Sequence, residues 1–178
     1  MRTVAANPLK SQAYRNGALA LVLAVAALGA AFGFEKLGGY NPCPLCLMQR
    51  YAYFAGIPLT FLALILLASG QRAAAATVMF LVSLAYLGNA GLGVYHAGAE
   101  WKYWPGPDTC GASGPGLTKS AGSLLKQLET TLVVRCDEAP WRFLGLSFAG
   151  WNVVVSMMLW ITLQQAAFAA AAEAKVKT

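Results

Sequence analysis

Asn41-Pro42-Cys43-Pro44-Leu45-Cys46-Leu47-Met48-Gln49-Arg50 is a short polar stretch holding two cysteines three positions apart and an arginine one helical turn beyond the second. Uncharged runs flank it, Ala18 to Phe34 before and Tyr51 to Gln71 after. Each is long enough as a helix to cross a bilayer core about 30 Å thick. A reactive thiol pair at a membrane surface is the feature the rest of the chain has to serve.

Two further uncharged runs follow, Ala73 to Tyr95 and Phe143 to Phe168. With 58% hydrophobic and only 11% charged residues, the composition is that of an integral membrane protein rather than a soluble domain. The reading is all-α: a polytopic four-transmembrane-helix bundle forming a single membrane domain over 1–178. Its spans are placed at roughly 18–34, 46–69, 73–95 and 143–168, with outer loops at 35–45 and 97–142. The basic start and small residues near Gly29 to Ala31 would also suit a signal peptide, but the apolar run is long for one and Gly29-x-x-x-Gly33 is a helix-packing pattern. Pro58, inside the second span, removes a backbone donor and is expected to kink it. The formal charge of +6 is scattered over span ends without a dense basic run, which sets nucleic acid aside.

Four spans put both termini on one side. Arg2, Lys10, Arg15, Arg72, Lys175 and Lys177 crowd the termini and the second turn, whereas the other seven basic residues spread over longer segments. The positive-inside tendency then makes both termini cytoplasmic and puts all four cysteines outside. Trp101, Tyr103, Trp104 and Trp141 gather at that outer face as an interfacial belt would. Within the long loop, Leu117, Ala121, Leu124, Leu125, Leu128 and Leu132 recur with helical period, predicting a short amphipathic helix that anchors on the membrane or packs over the bundle.

Three chemistries compete for Cys43, Cys46, Cys110 and Cys136. A Cys-x-x-Cys at a helix N-terminus has a favoured thiolate, which suits redox work. A zinc site would need a second closely spaced pair, and Cys110 and Cys136 are far apart in sequence. Two inert disulfides are the third reading, although so short a loop as Cys43 to Cys46 gains little chain entropy from closure. Arg50 lies four residues beyond Cys46, where its cation would stabilise a Cys46 thiolate or an anionic oxygen of a ligand. His96, the only histidine, closes the third span.

Cys43-Pro44-Leu45-Cys46-x-x-Gln49-Arg50, then Tyr95-His96, then Cys136 followed by Trp141-x-Phe143-Leu144-Gly145-Leu146 and Trp151 resemble the DsbB family of bacterial inner-membrane disulfide-generating enzymes over essentially the whole chain. The resemblance implies a quinone-dependent thiol oxidase. A reduced DsbA-like periplasmic carrier of thioredoxin fold would attack a Cys110–Cys136 disulfide at Cys110. Cys136 would then pass the electrons to a Cys43–Cys46 disulfide at Cys43, and Cys46 would deliver them to the membrane quinone pool, ubiquinone or menaquinone. The resemblance also implies that Cys46, Arg50, His96 and Trp151 surround the quinone, with no metal. Two alternatives stand beside it. One is a quinone reductase of the vitamin K epoxide reductase type, in which the thiol pair normally lies late in the chain. The other is a membrane scaffold held by structural disulfides or zinc.

Overall fold

Ser11 opens the first helix by accepting a hydrogen bond from the Tyr14 N–H at 3.2 Å, satisfying one of the donors that a helix start leaves free. The computed structural model describes residues 11–106 and 136–175. Among them are four long helices: α1 (Gln12–Lys36), α2 (Pro44–Ala68), α3 (Arg72–Glu100) and α4 (Phe148–Lys175). All four are long and apolar enough to span a membrane, and the chain is a four-helix membrane protein. Cys110 and the expected amphipathic helix around Leu117 to Leu132 lie outside the described residues.

In lipid the helices cannot be driven together by excluding water, so close packing of small residues has to do it. The buried face of α1 is accordingly Ala13, Gly17, Ala20 and Ala24. A Cβ on Gly17 would come within 2.8 Å of Met79 Cε and 2.9 Å of Leu64 Cδ2, so this glycine leaves room for those side chains between α1 and its neighbours α2 and α3. The Gly29-x-x-x-Gly33 pattern expected to pack helices makes no close approach among the described residues, where a Cβ at either position would meet nothing within 4 Å. Met79, Tyr86, Leu159 and Leu163 fill the bundle axis, while Leu19, Val22, Phe61, Ile65 and Leu81 face outward as a lipid-exposed surface should.

α2 continues through Pro58. Ser69, Gly70 and Gln71 turn the chain into α3, with Gly70 in the left-handed region at φ +85°. Near that end Arg72 Nε donates to Glu173 Oε2 at 3.3 Å, tying α3 to α4.

α1 starts earlier than the sequence reading placed it, at Gln12, and α4 runs on to Lys175; two further differences bear on the site. α3 runs on to Glu100, so Ala97 to Glu100 are the last turn of a helix rather than loop, and they are buried. The fourth helix begins at Phe148 rather than Phe143, because β1 (Arg142–Phe143) and β2 (Leu146–Ser147) form an antiparallel hairpin before it. Leu144 and Gly145 both take positive φ, 53° and 81°, the geometry of a two-residue hairpin turn and incompatible with a continuing helix. Trp101, Tyr103 and Trp104 stay partly exposed at the cysteine end, but Trp141 turns inward and stacks on Phe148 at 5.0 Å between centroids.

Candidate functional site

Pro42 and Pro44 flank Cys43 and hold it out of the helix that begins at Pro44. Cys43 becomes the N-cap of α2, its sulfur accepting from the Cys46 N–H at 3.3 Å. Free backbone donors and the positive end of the helix dipole therefore converge on Cys43, not on Cys46. Cys46, one turn inside the helix, brings its Sγ within 3.1 Å of Cys43 Sγ, both residues being free thiols. The sequence reading assigned the low-pKa thiolate to Cys46, whereas the geometry assigns it to Cys43. The hydrogen bond from Cys46, and after it His96, holds the Cys43 thiol well below its ordinary value despite burial.

Cys43, Leu45 and Cys136 form one buried cluster, with Cys46 and Leu92 packed against it. Cys136 is disulfide-bonded and only 1% exposed, next to a Cys43 that is 3% exposed. Cysteines 93 positions apart in sequence thus meet inside the protein, which spacing alone does not reveal.

His96, 2% exposed, projects from α3 toward the same point, its Nε2 3.6 Å from Cys43 Sγ and 3.8 Å from Glu100 Oε1. Its other ring nitrogen, Nδ1, takes the amide of Gln49 at 3.0 Å. Gln49 Oε1 in turn accepts from Asn152 Nδ2 at 2.8 Å. Asn152 Oδ1 accepts from the Tyr53 hydroxyl at 2.8 Å, and Asn89 links to Ser156 at 2.9 Å. Glu100 is held from its far side by Ser147, whose hydroxyl donates to Oε2. Polar groups inside a membrane bundle are costly unless paired, and these pair across α2, α3 and α4.

Arg50 is where the sequence reading needs its largest adjustment. Its Nη1 donates to Glu35 Oε2 at 2.5 Å, and its guanidinium lies 4.9 Å from the centre of the Phe32 ring. Among the described residues it hydrogen-bonds to neither thiol. Its charge is balanced by a carboxylate of α1, a partner that a motif confined to α2 could not supply.

A cavity of about 620 Å³ opens beside these groups. Cys43, Cys46, Gln49, Arg50, His96 and Trp151 line it together with Ala27, Ala31, Phe34, Trp141 and Phe148. The volume suits a small molecule, and the walls are mostly apolar with a few convergent polar groups. Trp151 is fixed by donating Nε1–H to the Phe143 carbonyl at 3.1 Å. Of the residues singled out in the sequence, Cys43, Cys46, Arg50, His96 and Trp151 share this cavity, and Cys136 packs directly behind it. Glu35, Glu100 and Asn152 also line it and were not singled out, and Gln49, which lines it too, entered only as a letter of the quoted motif. The signal available for them is that each is a polar residue in or beside an otherwise apolar span.

Comparison with known proteins agrees with this architecture. The family model "DsbB: Disulfide bond formation protein DsbB" matches residues 15–166. The chain is similar to Disulfide bond formation protein B of Aromatoleum aromaticum, 35% identical over 153 residues, covering 82% of this chain and 89% of that one. It is similar also to the protein of the same name from Marinobacter nauticus, 33% identical over 146 residues, covering 79% and 83%. A third relative of that name, from Hahella chejuensis, is 34% identical over 138 residues, covering 74% and 80%. No solved structure matches the chain.

Proposed function

The chain belongs to the DsbB family of disulfide bond formation proteins, and from that premise we propose that it reoxidises a DsbA-like dithiol carrier and passes the electrons to a membrane quinone. Family membership makes it a disulfide-forming, multi-pass protein of the bacterial inner membrane. The observation that carries the finer reading is the buried meeting of Cys136 with Cys43 on one side and the apolar cavity at Cys46 on the other.

The thiol steps balance within the chain and its carrier. A carrier thiolate attacks Cys110 of a Cys110–Cys136 disulfide, and Cys136 leaves as the thiolate. The second carrier thiol then displaces Cys110, so the carrier keeps a new disulfide and two electrons have entered the protein. The Cys136 thiolate attacks Cys43 Sγ of a Cys43–Cys46 disulfide, forming a Cys43–Cys136 bond and releasing Cys46 as thiolate. Cys110 resolves that bond, regenerating Cys110–Cys136 and leaving Cys43 and Cys46 as a dithiol. Each exchange needs a thiolate attacker and a leaving thiol of low pKa. The N-cap position makes Cys43 the better stabilised sulfur of its pair, which suits it to leave Cys136 in the resolving step.

The cavity suits a quinone ring: apolar and aromatic walls for the ring, with Arg50 as a donor and His96 lining it beside the thiols. Arg50, His96 and Trp151 would hold the ring beside Cys46. A bound quinone supplies a two-electron, two-proton acceptor that restores the Cys43–Cys46 disulfide. Arg50 presents a permanent cation, His96 directs its Nε2 at the Cys43 sulfur beside the ring, and the aromatic wall of Phe34, Trp141 and Phe148 excludes water. Both termini are read as cytoplasmic and the thiol end as periplasmic, where the carrier works.

Stopped-flow mixing of the oxidised protein with reduced carrier and a water-soluble quinone tests the proposal. Quinol should form in proportion to carrier disulfide, and Cys46→Ser should abolish it. An absence of quinol, or an unchanged rate in Cys46→Ser, would reject the reading.

A further inference from the structure

The amide of Gln49 faces the one ring nitrogen of His96 that does not face the thiols. An amide NH2 can only donate, so at 3.0 Å from Gln49 Nε2 the His96 Nδ1 accepts and carries no proton. A neutral ring then has its proton on Nε2, directed at Cys43 Sγ 3.6 Å away.

Gln49 cannot turn over alone. Its carbonyl accepts from Asn152 Nδ2 at 2.8 Å, and a flipped Gln49 would set two NH2 groups against each other. Asn152 is restrained by Asn89, whose Nδ2 donates to its carbonyl at 3.4 Å; the Tyr53 hydroxyl, 2.8 Å from the same oxygen, could serve either setting because it both donates and accepts. The amide chain therefore has two self-consistent settings, all as observed or all reversed. The reversed setting would put the proton on Nδ1 and aim the Nε2 lone pair at Cys43 Sγ and at Glu100 Oε1, 3.8 Å away. Two electron-rich acceptors at Nε2 select the observed setting.

The alternative tautomer has a specific chemical consequence. The Cys43 and Cys46 sulfurs and a His96 ring nitrogen lie within 4.8 Å of one another, the spacing of three ligands around one soft metal ion. A histidine binds such an ion through a lone pair while its other nitrogen donates to a carboxylate or carbonyl. Moving the His96 proton to Nδ1, with release of the thiol protons that thiolate ligation requires, would turn the dithiol form into a three-ligand zinc site.

We propose that Gln49 and Asn152 are positioning residues that hold His96 as its Nε2–H tautomer, so that it donates to the Cys43 sulfur and withholds its lone pair from divalent metal. Their role in turnover rests on the oxidase reading, whereas the tautomer itself does not. Gln49 touches His96; Asn152 acts only through Gln49.

Because His96 is the only histidine, 15N-histidine labelling of the full-length protein in nanodiscs, with a histidine-free tag, gives a single imidazole pair. The reduced wild type should show a protonated Nε2 and a bare Nδ1. Gln49→Glu replaces the NH2 with an acceptor, and Asn152→Asp forces Gln49 to turn its carbonyl toward His96. Both variants should move the proton to Nδ1, the second without any contact to the ring. Zinc titration of the reduced proteins should show at least tenfold tighter binding in both variants, abolished by adding Cys43→Ser. Gln49→Asn and Asn152→Gln test whether shape matters beyond donor sense, and any folded variant that keeps an NH2 toward Nδ1 should keep the wild-type tautomer. A wild type protonated on Nδ1, or a tautomer unmoved in folded Gln49→Glu and Asn152→Asp, would overturn the proposal. An unchanged zinc affinity alongside a moved proton would overturn its metal-excluding part. Failure of the quinone assay with these tautomer results intact would reject only the oxidase reading.

Discussion

His96 Nε2 stands 3.6 Å from Cys43 Sγ, joining the far end of α3 to the residue that caps α2. The contact gives the thiol pair a direction: the Cys43 sulfur faces the Cys46 N–H at 3.3 Å, the Cys46 sulfur at 3.1 Å and His96, and as a thiolate it accepts from all three.

Cys43 should therefore ionise well below its ordinary value of 9 in the reduced protein, with the Cys46 hydrogen bond as the larger cause and His96 next. Ultraviolet thiolate absorbance against pH should show one early titration, moved upward by Cys46→Ala and by a smaller amount in His96→Ala. The sign for stability follows: a pKa depressed by folding makes the reduced protein gain stability as pH rises from the folded value to 9, and lose it as pH falls through the folded value. A reduced protein whose unfolding midpoint is flat over that window would contradict the assignment.

Arg50 and Glu35 form an ion pair at 2.5 Å beside the cavity. Arg50→His should raise the apparent KM for quinone roughly tenfold, about the worth of one charge-assisted hydrogen bond, with carrier binding little changed. Glu35→Gln, which leaves the guanidinium unpaired, should lower that KM. Steady-state kinetics with quinone and carrier varied separately distinguish these outcomes, and an unchanged KM in Arg50→His would reduce Arg50 to a charge at a span end.

How far the chain could be read in advance depended on what kind of information each feature needs. Hydropathy alone finds α1, α2 and α3, because a bilayer demands long apolar runs and little else. It misplaces the start of α4, since Phe143, Leu144 and Leu146 are as apolar as the helix that follows and only the positive φ of Leu144 and Gly145 betrays the hairpin. The thiol pair was legible from its motif. The partners of Arg50 and His96 were not, because Glu35 and Gln49 reach them across helices, and a linear spacing carries no register between one helix and another.

Gly17 and Gly29 make a paired test of the packing. Gly17→Leu forces a side chain against Met79 and Leu64 and should destabilise the bundle by ~1–3 kcal/mol, the usual range for overpacking. Gly29→Ala, whose Cβ meets nothing within 4 Å among the described residues, should leave thermal unfolding in detergent unchanged or slightly raised.

Tyr86 is fully buried, and its hydroxyl has no hydrogen-bond partner among the described residues. Tyr86→Phe removes an unsatisfied polar atom at nearly constant shape and should stabilise the protein by about 1 kcal/mol. A clear loss of stability in thermal unfolding would show that the hydroxyl is satisfied after all.

The hand-over from Cys136 to Cys43 is tested most directly by trapping it. With Cys46→Ser and Cys110→Ser combined, the only remaining thiols are the two that meet in the buried cluster. Oxidation with the quinone or a mild chemical oxidant, followed by peptide mass mapping, should find a Cys43–Cys136 disulfide within one chain. Free thiols at both positions, or a bond joining Cys136 to Cys136 of a second chain, would contradict the proposed route.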